Sequence, residues 1–139
     1  MNVADNAVTQ PMPKDNPVSE TYWAGLKQGV FRIQQCGACC TLRHYPRLLC
    51  PECHSMDVRW IDASGKAKVH SWSVAHHAFH PGFAGEVPYV MVAADLDEGV
   101  RALGRLVDAQ AAQLRIGMPL QLVIEARADG LPLPCFRPT

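Results

Sequence analysis

Cys36-Gly37-Ala38-Cys39 and, a short loop later, Cys50-Pro51-Glu52-Cys53 are the residues whose types and spacing most clearly imply chemistry. A Cys-x-x-Cys knuckle turns tightly and aims two sulfurs at one point, and two knuckles at this separation form a zinc-ribbon pattern. Four thiolates in a tetrahedral set suit Zn²⁺ and leave no open position for water or substrate, so the expected site is structural, with one ion per chain. In small zinc peptides such binding is worth on the order of 10–16 kcal/mol and is largely folding free energy. A ribbon of about thirty residues has little core of its own and would depend on that term. Cys40 sits beside Cys39 and is an alternative ligand, although the two-residue gap from Cys36 favours Cys39.

The second stretch that could do chemistry is His76-His77-Ala78-Phe79-His80-Pro81-Gly82-Phe83. Three histidines near a strand end could bind a metal or act as general bases. In a continuing strand, however, His76 and His77 point to opposite faces, and the nearest carboxylate is Glu86. The plainer reading is a polar loop whose histidines hydrogen-bond locally or touch a ligand. Gly82 and Gly85 around Phe83 suit a ligand-facing loop. Cys135 has no assignable activating base and reads as a small buried hydrophobe. Arg101 and Arg105 could meet a phosphate or could form a solvated face. No Gly-x-Ser-x-Gly, phosphate-binding loop or dinucleotide fingerprint occurs.

The 139 residues carry 13 basic and 13 acidic groups, a formal net charge of zero. The balance is local as well: residues 1–33 and 34–62 each hold three groups of either sign, and residues 63–139 hold seven of each. Phosphate-backbone affinity comes from clustered Lys and Arg, so nucleic acid is a poor first choice of partner. The N-terminal stretch lacks the pattern of a secretory signal, and no run reaches the roughly twenty apolar residues of a membrane span. Together with free Cys-x-x-Cys thiolates, this predicts a cytoplasmic protein.

Four segments must position these groups. Residues 1–15 read as a flexible tail. Residues 16–33 hold a helix capped by Asn16-Pro17 and stopped at Gly29, then a lead-in strand over Val30–Gln35. Val18, Tyr22 and Leu26 share a helix stripe that Trp23 widens; Tyr22 and Trp23 either pack inward or anchor a partner. Residues 34–62 form the ribbon, with further strands at Arg43–Leu49 and Val58–Ile61. Residues 63–139 read as β throughout. Strands are predicted at Ala67–Ala78, Pro88–Leu96, Val100–Val107, Leu120–Ala126 and Leu133–Arg137, with one or two helical turns in Asp108–Leu114. The apolar parity of the first strand shifts between Val69 and Trp72, which predicts a bulge or bend. Five strands of this kind suggest a small closed barrel of the OB type, with an open five-stranded sandwich as the alternative.

In order and spacing, Tyr22-Trp23, Ile33-Gln34-Gln35-Cys36, Tyr45-Pro46-Arg47, Cys50-Pro51-Glu52-Cys53, Asp97-Glu98-Gly99, Ile116-Gly117-Met118-Pro119 and Phe136-Arg137-Pro138 resemble one family. It comprises small prokaryotic proteins with an N-terminal helix, a rubredoxin-like zinc ribbon and a C-terminal OB-fold, and the resemblance covers the chain from about Asn16 to its end. It implies a mainly β protein that serves as a non-catalytic subunit beside acyl-CoA enzymes, among them thiolase-like acyltransferases, aldolases and hydratases. It also implies that helix and ribbon contact the partner while the barrel helps form the passage for the CoA thioester. On that reading Tyr22, Trp23, His76, His77, His80 and Phe83 are candidate partner or acyl-CoA contacts, and Cys36, Cys39, Cys50 and Cys53 the zinc ligands. The rival reading is a stand-alone single-strand nucleic-acid binder, since OB folds also do this. The chain departs from the family pattern at Cys40 and His54, where a glycine usually follows the knuckle, and at Ala67, the second glycine of a Gly-x-Gly. Glycine commonly serves where φ is positive, so altered knuckle geometry is an expected consequence.

Overall fold

The computed structural model describes residues 9–139. Residues 1–8 of the expected flexible tail lie outside the described residues. Thr9–Met12 are engaged with the body of the protein: the Gln10 side chain donates to the Gly82 carbonyl at 3.1 Å, and Arg127 donates to the Pro11 carbonyl at 3.1 Å.

The helix α1 spans Glu20–Lys27 and begins later than Asn16-Pro17 suggests. Asn16 is committed to a turn instead: its side-chain oxygen accepts from Val18 N–H and its carbonyl from Ser19 N–H, both at 3.0 Å. At the other end Gly29, at φ +78°, donates to the Leu26 carbonyl, the expected left-handed stop. Tyr22, Gly25 and Leu26 form the buried face. A Cβ on Gly25 would lie 2.9 Å from the Val30 carbonyl oxygen, so the returning chain packs directly on the helix.

Three antiparallel strands, β1 (Arg32–Cys36), β2 (Leu42–Arg43) and β3 (Val58–Asp62), form a sheet in the order β2-β1-β3. The strand expected over Arg43–Leu49 is thus only two residues long. Buried Gln34 explains this: its side-chain oxygen accepts from both the Arg43 guanidinium and Arg47 N–H, so the chain curls around β1 instead of pairing along it.

The remaining strands are β4 (Lys66–Ala75), β5 (Tyr89–Leu96), β6 (Arg101–Leu106), β7 (Pro119–Ala126) and β8 (Pro132–Pro138). They close into a barrel in the order β4-β5-β6-β8-β7, an OB-fold, with β4 and β7 completing the circle. The register of β4 on β5 shifts between Val69 and Ser71, which places the expected bulge at His70. β4 ends at Ala75, three residues before the predicted end, and single 3-10 turns occur at Pro81–Phe83 and Ala111–Gln113. Gly104 lets β6 approach β8: a Cβ there would stand 2.8 Å from the fully buried Phe136 ring. Tyr22, Leu26, Phe31 and Ile33 join Val69, Val92, Leu120 and Phe136 in one continuous core, so helix, ribbon and barrel share a single apolar interior.

Candidate metal centre and barrel cleft

The two knuckles are built alike. Cys40 N–H donates to the Cys36 carbonyl at 3.1 Å and His54 N–H to the Cys50 carbonyl at 2.9 Å, closing equivalent turns. Cys40 and His54 have φ +63° and +62°, so both hold the left-handed conformation that glycine usually supplies. The departures noted in the sequence therefore leave the turns in place and load them with a backbone conformation disfavoured for L-residues.

The turns bring together Cys36, Cys39, Cys50 and Cys53, whose sulfurs all lie within 4.8 Å of one another; Cys40 is outside this group. The Cys36–Cys53 and Cys39–Cys50 sulfurs are 3.5 and 3.6 Å apart. Four thiolates about 2.3 Å from one tetrahedral ion would be about 3.8 Å apart, so the set fits a Zn²⁺ with little adjustment. The electrostatics favour a cation. N–H groups of Cys39 and Ala38 point at the Cys36 sulfur and hold its thiol down to about 6. The Thr41 hydroxyl, followed by its backbone, lowers Cys39. At Cys53 a Ser55 backbone bond pulls down, but the Cys36 and Cys39 sulfurs push up and win, to about 12. A cation among the four sulfurs would favour the deprotonated form of all of them.

The structure does not gather the three histidines. His76 and His77 are exposed just past the end of β4, and the His77 ring meets the edge of Phe79, its centroid 4.7 Å away. His80 caps the 3-10 turn, its Nδ1 accepting from Gly82 N–H at 3.0 Å. Among the described residues, the four cysteines alone form a cluster of three or more groups with metal-ligating geometry. Tyr22 is buried, its ring edge-on to Trp23 and Phe31, while Trp23 is half-buried. The inward packing left open by the sequence is what Tyr22 does.

Phe83 lines a cleft of about 480 Å³ on the outer face of the barrel. Its floor is a row across three strands, Met91 opposite Arg105 opposite Cys135. Burial, then Glu125, pushes the Cys135 thiol up, which disfavours the thiolate that a nucleophile needs. Arg105 stacks over the Tyr89 ring at 4.2 Å and pairs with Glu86 at 3.2 Å, and Arg101 pairs with Asp95 at 2.7 Å. Sequence reasoning did not find this cleft. The signal was alternation, with residues 89 and 91 of β5 and 103 and 105 of β6 sharing the outer face.

Fold and site together define a short helix followed by a two-knuckle cysteine ribbon that runs directly into an OB barrel. Residues 23–59 match the family described as ChsH2, rubredoxin-like zinc ribbon domain, and residues 60–125 match ChsH2, C-terminal OB-fold domain. A DUF35 domain-containing scaffold protein of Methanocaldococcus jannaschii is 36% identical over 111 residues, 78% of either chain. The chain belongs to this DUF35 family, with ChsH2-type ribbon and barrel. A probable enoyl-CoA hydratase alpha subunit of Thermomonospora curvata is 40% identical over 129 residues; these are 93% of this chain but 40% of that one. The chain thus spans about two fifths of that relative's length. A solved structure described as the Ltp2-ChsH2(DUF35) aldolase superposes with a TM-score of 0.82 at 40% identity, covering 91% of this chain and 98% of that one.

Proposed function

We propose that the protein is a non-catalytic subunit that binds one structural Zn²⁺ through Cys36, Cys39, Cys50 and Cys53 and docks on an acyl-CoA-processing enzyme. The observation that carries this reading is the near-complete overlap with the DUF35 chain of an aldolase assembly. Similarity to hydratase alpha subunits supports the same metabolic setting. The metal would fill all four tetrahedral positions with sulfur and do no chemistry of its own; it would hold the ribbon in a shape that a partner can read. The partner is a thiolase-superfamily or related enzyme, and the half-exposed Trp23 on α1 and the His76–Phe83 segment are the surfaces offered to it or to its CoA thioester.

Single-strand nucleic-acid binding is disfavoured by charge. Arg105, which stacks on the Tyr89 ring, is engaged with a carboxylate, as are Arg101 and Arg127, and the chain is neutral segment by segment. A tagged pull-down from the native host, nuclease-treated, with retained proteins identified by mass spectrometry, tests the choice. Stoichiometric recovery of a thiolase-fold or other acyl-CoA enzyme is expected. Recovery of the protein alone, with nucleic acid bound before treatment, would refute the subunit reading.

A further inference from the structure

Three of the four charged groups lining the barrel cleft are already paired within the chain. Arg105 is held by Glu86 and the Tyr89 ring, and the second oxygen of Glu86 takes the Gln10 amide. Arg127 is held by Asp129, the Pro11 carbonyl and the Met12 sulfur. Glu125, on the same rim, makes no ion pair among the described residues. A phosphate or carboxylate entering here would meet a bare carboxylate and would have to break existing pairs. Apart from Glu125, what the cleft leaves unspent is apolar: Phe83, Met91, Leu103, Leu133 and Cys135. Leu103 is half exposed on that wall.

Thr9–Met12 do not line the cleft, but they brace residues that do. Thr9–Met12 cross the 3-10 turn, and the close approach needs Gly82, where a Cβ would lie 3.0 Å from Gln10 Cα, Gln10 N and the Thr9 carbonyl oxygen. Three of these residues hold the turn and two lining residues: Gln10 holds Gly82 and Glu86, and Pro11 and Met12 hold Arg127. They tie the Phe83 side of the cleft to the Arg127 side.

We propose that this cleft holds the apolar acyl portion of a thioester, not its nucleotide end, and that Thr9–Met12 are the strap fixing its outer wall. The choice of a thioester rests on the acyl-CoA reading above; the apolar selectivity and the strap rest on the cleft itself. About 480 Å³ accommodates a medium acyl chain or a small ring. With Glu86, Arg105 and Arg127 paired in advance and Glu125 set against anions, the cleft should reward removal of an uncharged group from water.

The test uses the zinc-loaded chain of 139 residues and the neutral fluorophore N-phenyl-1-naphthylamine. One saturable site per chain is expected, with octanoyl-CoA displacing the probe and free CoA at the same concentration failing to do so. Leu103→Lys should weaken the probe at least tenfold. Deletion of residues 1–12, or Gly82→Val, should raise amide exchange at Gly82–Glu86 at least tenfold, leave the β1 amides unchanged and weaken the probe. No saturable binding, equal displacement by free CoA, or full affinity in Leu103→Lys would overturn the apolar site. Unchanged exchange at Gly82–Glu86 would overturn the strap whatever the probe does. Failure of the pull-down while octanoyl-CoA still displaces the probe would count against the subunit reading alone.

Discussion

His44 makes the stability of the protein depend on pH in a calculable way. Its ring lies among Tyr22, Phe31 and Tyr45, at centroid distances of 5.5, 5.0 and 4.0 Å, and its Nδ1 is buried without a hydrogen-bond partner. The groups around it are aromatic, and neither tyrosine ionises in the acid range. Burial alone pulls the imidazole from 6.5 down to about 4. Between those values the unfolded chain binds a proton that the folded chain refuses. Stability is therefore fully present above about pH 6.5 and is lost as the pH falls toward 4, by about 3 kcal/mol in total. From pH 7.5 to 5.5 the linked loss is about 1.3 kcal/mol, a ninefold change in the unfolding equilibrium.

Urea unfolding of the zinc-loaded protein, followed by tryptophan fluorescence at both pH values, measures this loss. Acid also weakens thiolate binding to zinc, so the quantity to read is the difference between the native chain and His44→Phe, in which the metal contribution cancels. The native chain should lose about 1.3 kcal/mol more than the variant, or roughly 0.6 M in urea midpoint for a slope of about 2 kcal/mol/M. Equal losses in the two proteins would refute the argument that the buried ring excludes a proton.

Three further perturbations have worked-out signs. Chelation of the metal should unfold residues 34–62 and change the near-UV and far-UV circular dichroism; extraction with both spectra unchanged would contradict a structural site. Cys40→Gly and His54→Gly should each stabilise by about 0.5–1 kcal/mol in urea unfolding, because relief of the left-handed backbone exceeds the entropy glycine adds to the unfolded chain. A loss of stability would mean that those side chains contribute something beyond the turn. Gly104→Ala should cost about 1–3 kcal/mol, since its methyl group would meet Phe136 and the Pro134 carbonyl at 2.8–2.9 Å and neither has room to retreat; a neutral result would show the barrel wall to be pliable there.

What was legible in the sequence was whatever nearest neighbours decide. The knuckle spacing located four sulfurs, the parity break between Val69 and Trp72 located a bulge, and Gly29 marked the end of a helix, because each depends on a few adjacent residues. The failures share one cause. Asn16 reads as a cap, yet its carbonyl and side chain are taken up in a turn, so α1 starts at Glu20. The stretch 43–49 has strand composition, yet one buried amide from β1, Gln34, bends it away. Met91, Arg105 and Cys135 lie far apart in sequence and meet only because β6 pairs with β5 on one side and in parallel with β8 on the other.

The segment at Thr9–Met12 carries that lesson furthest. Its composition is that of a tail, with no apolar periodicity to report a resting place. Gly82, seventy residues away, has no side chain, and that absence gives the segment a place to lie. Gln10 and the Pro11 carbonyl then use groups any chain could offer, and the contact is specific because Glu86 and Arg127 stand at matching positions on the barrel rim. Ribbon, helix and barrel share one core, so this rim is fixed relative to the knuckles as well. A partner seated on the ribbon would therefore meet the cleft in one orientation, which a scaffold subunit requires and a flexibly tethered barrel could not supply.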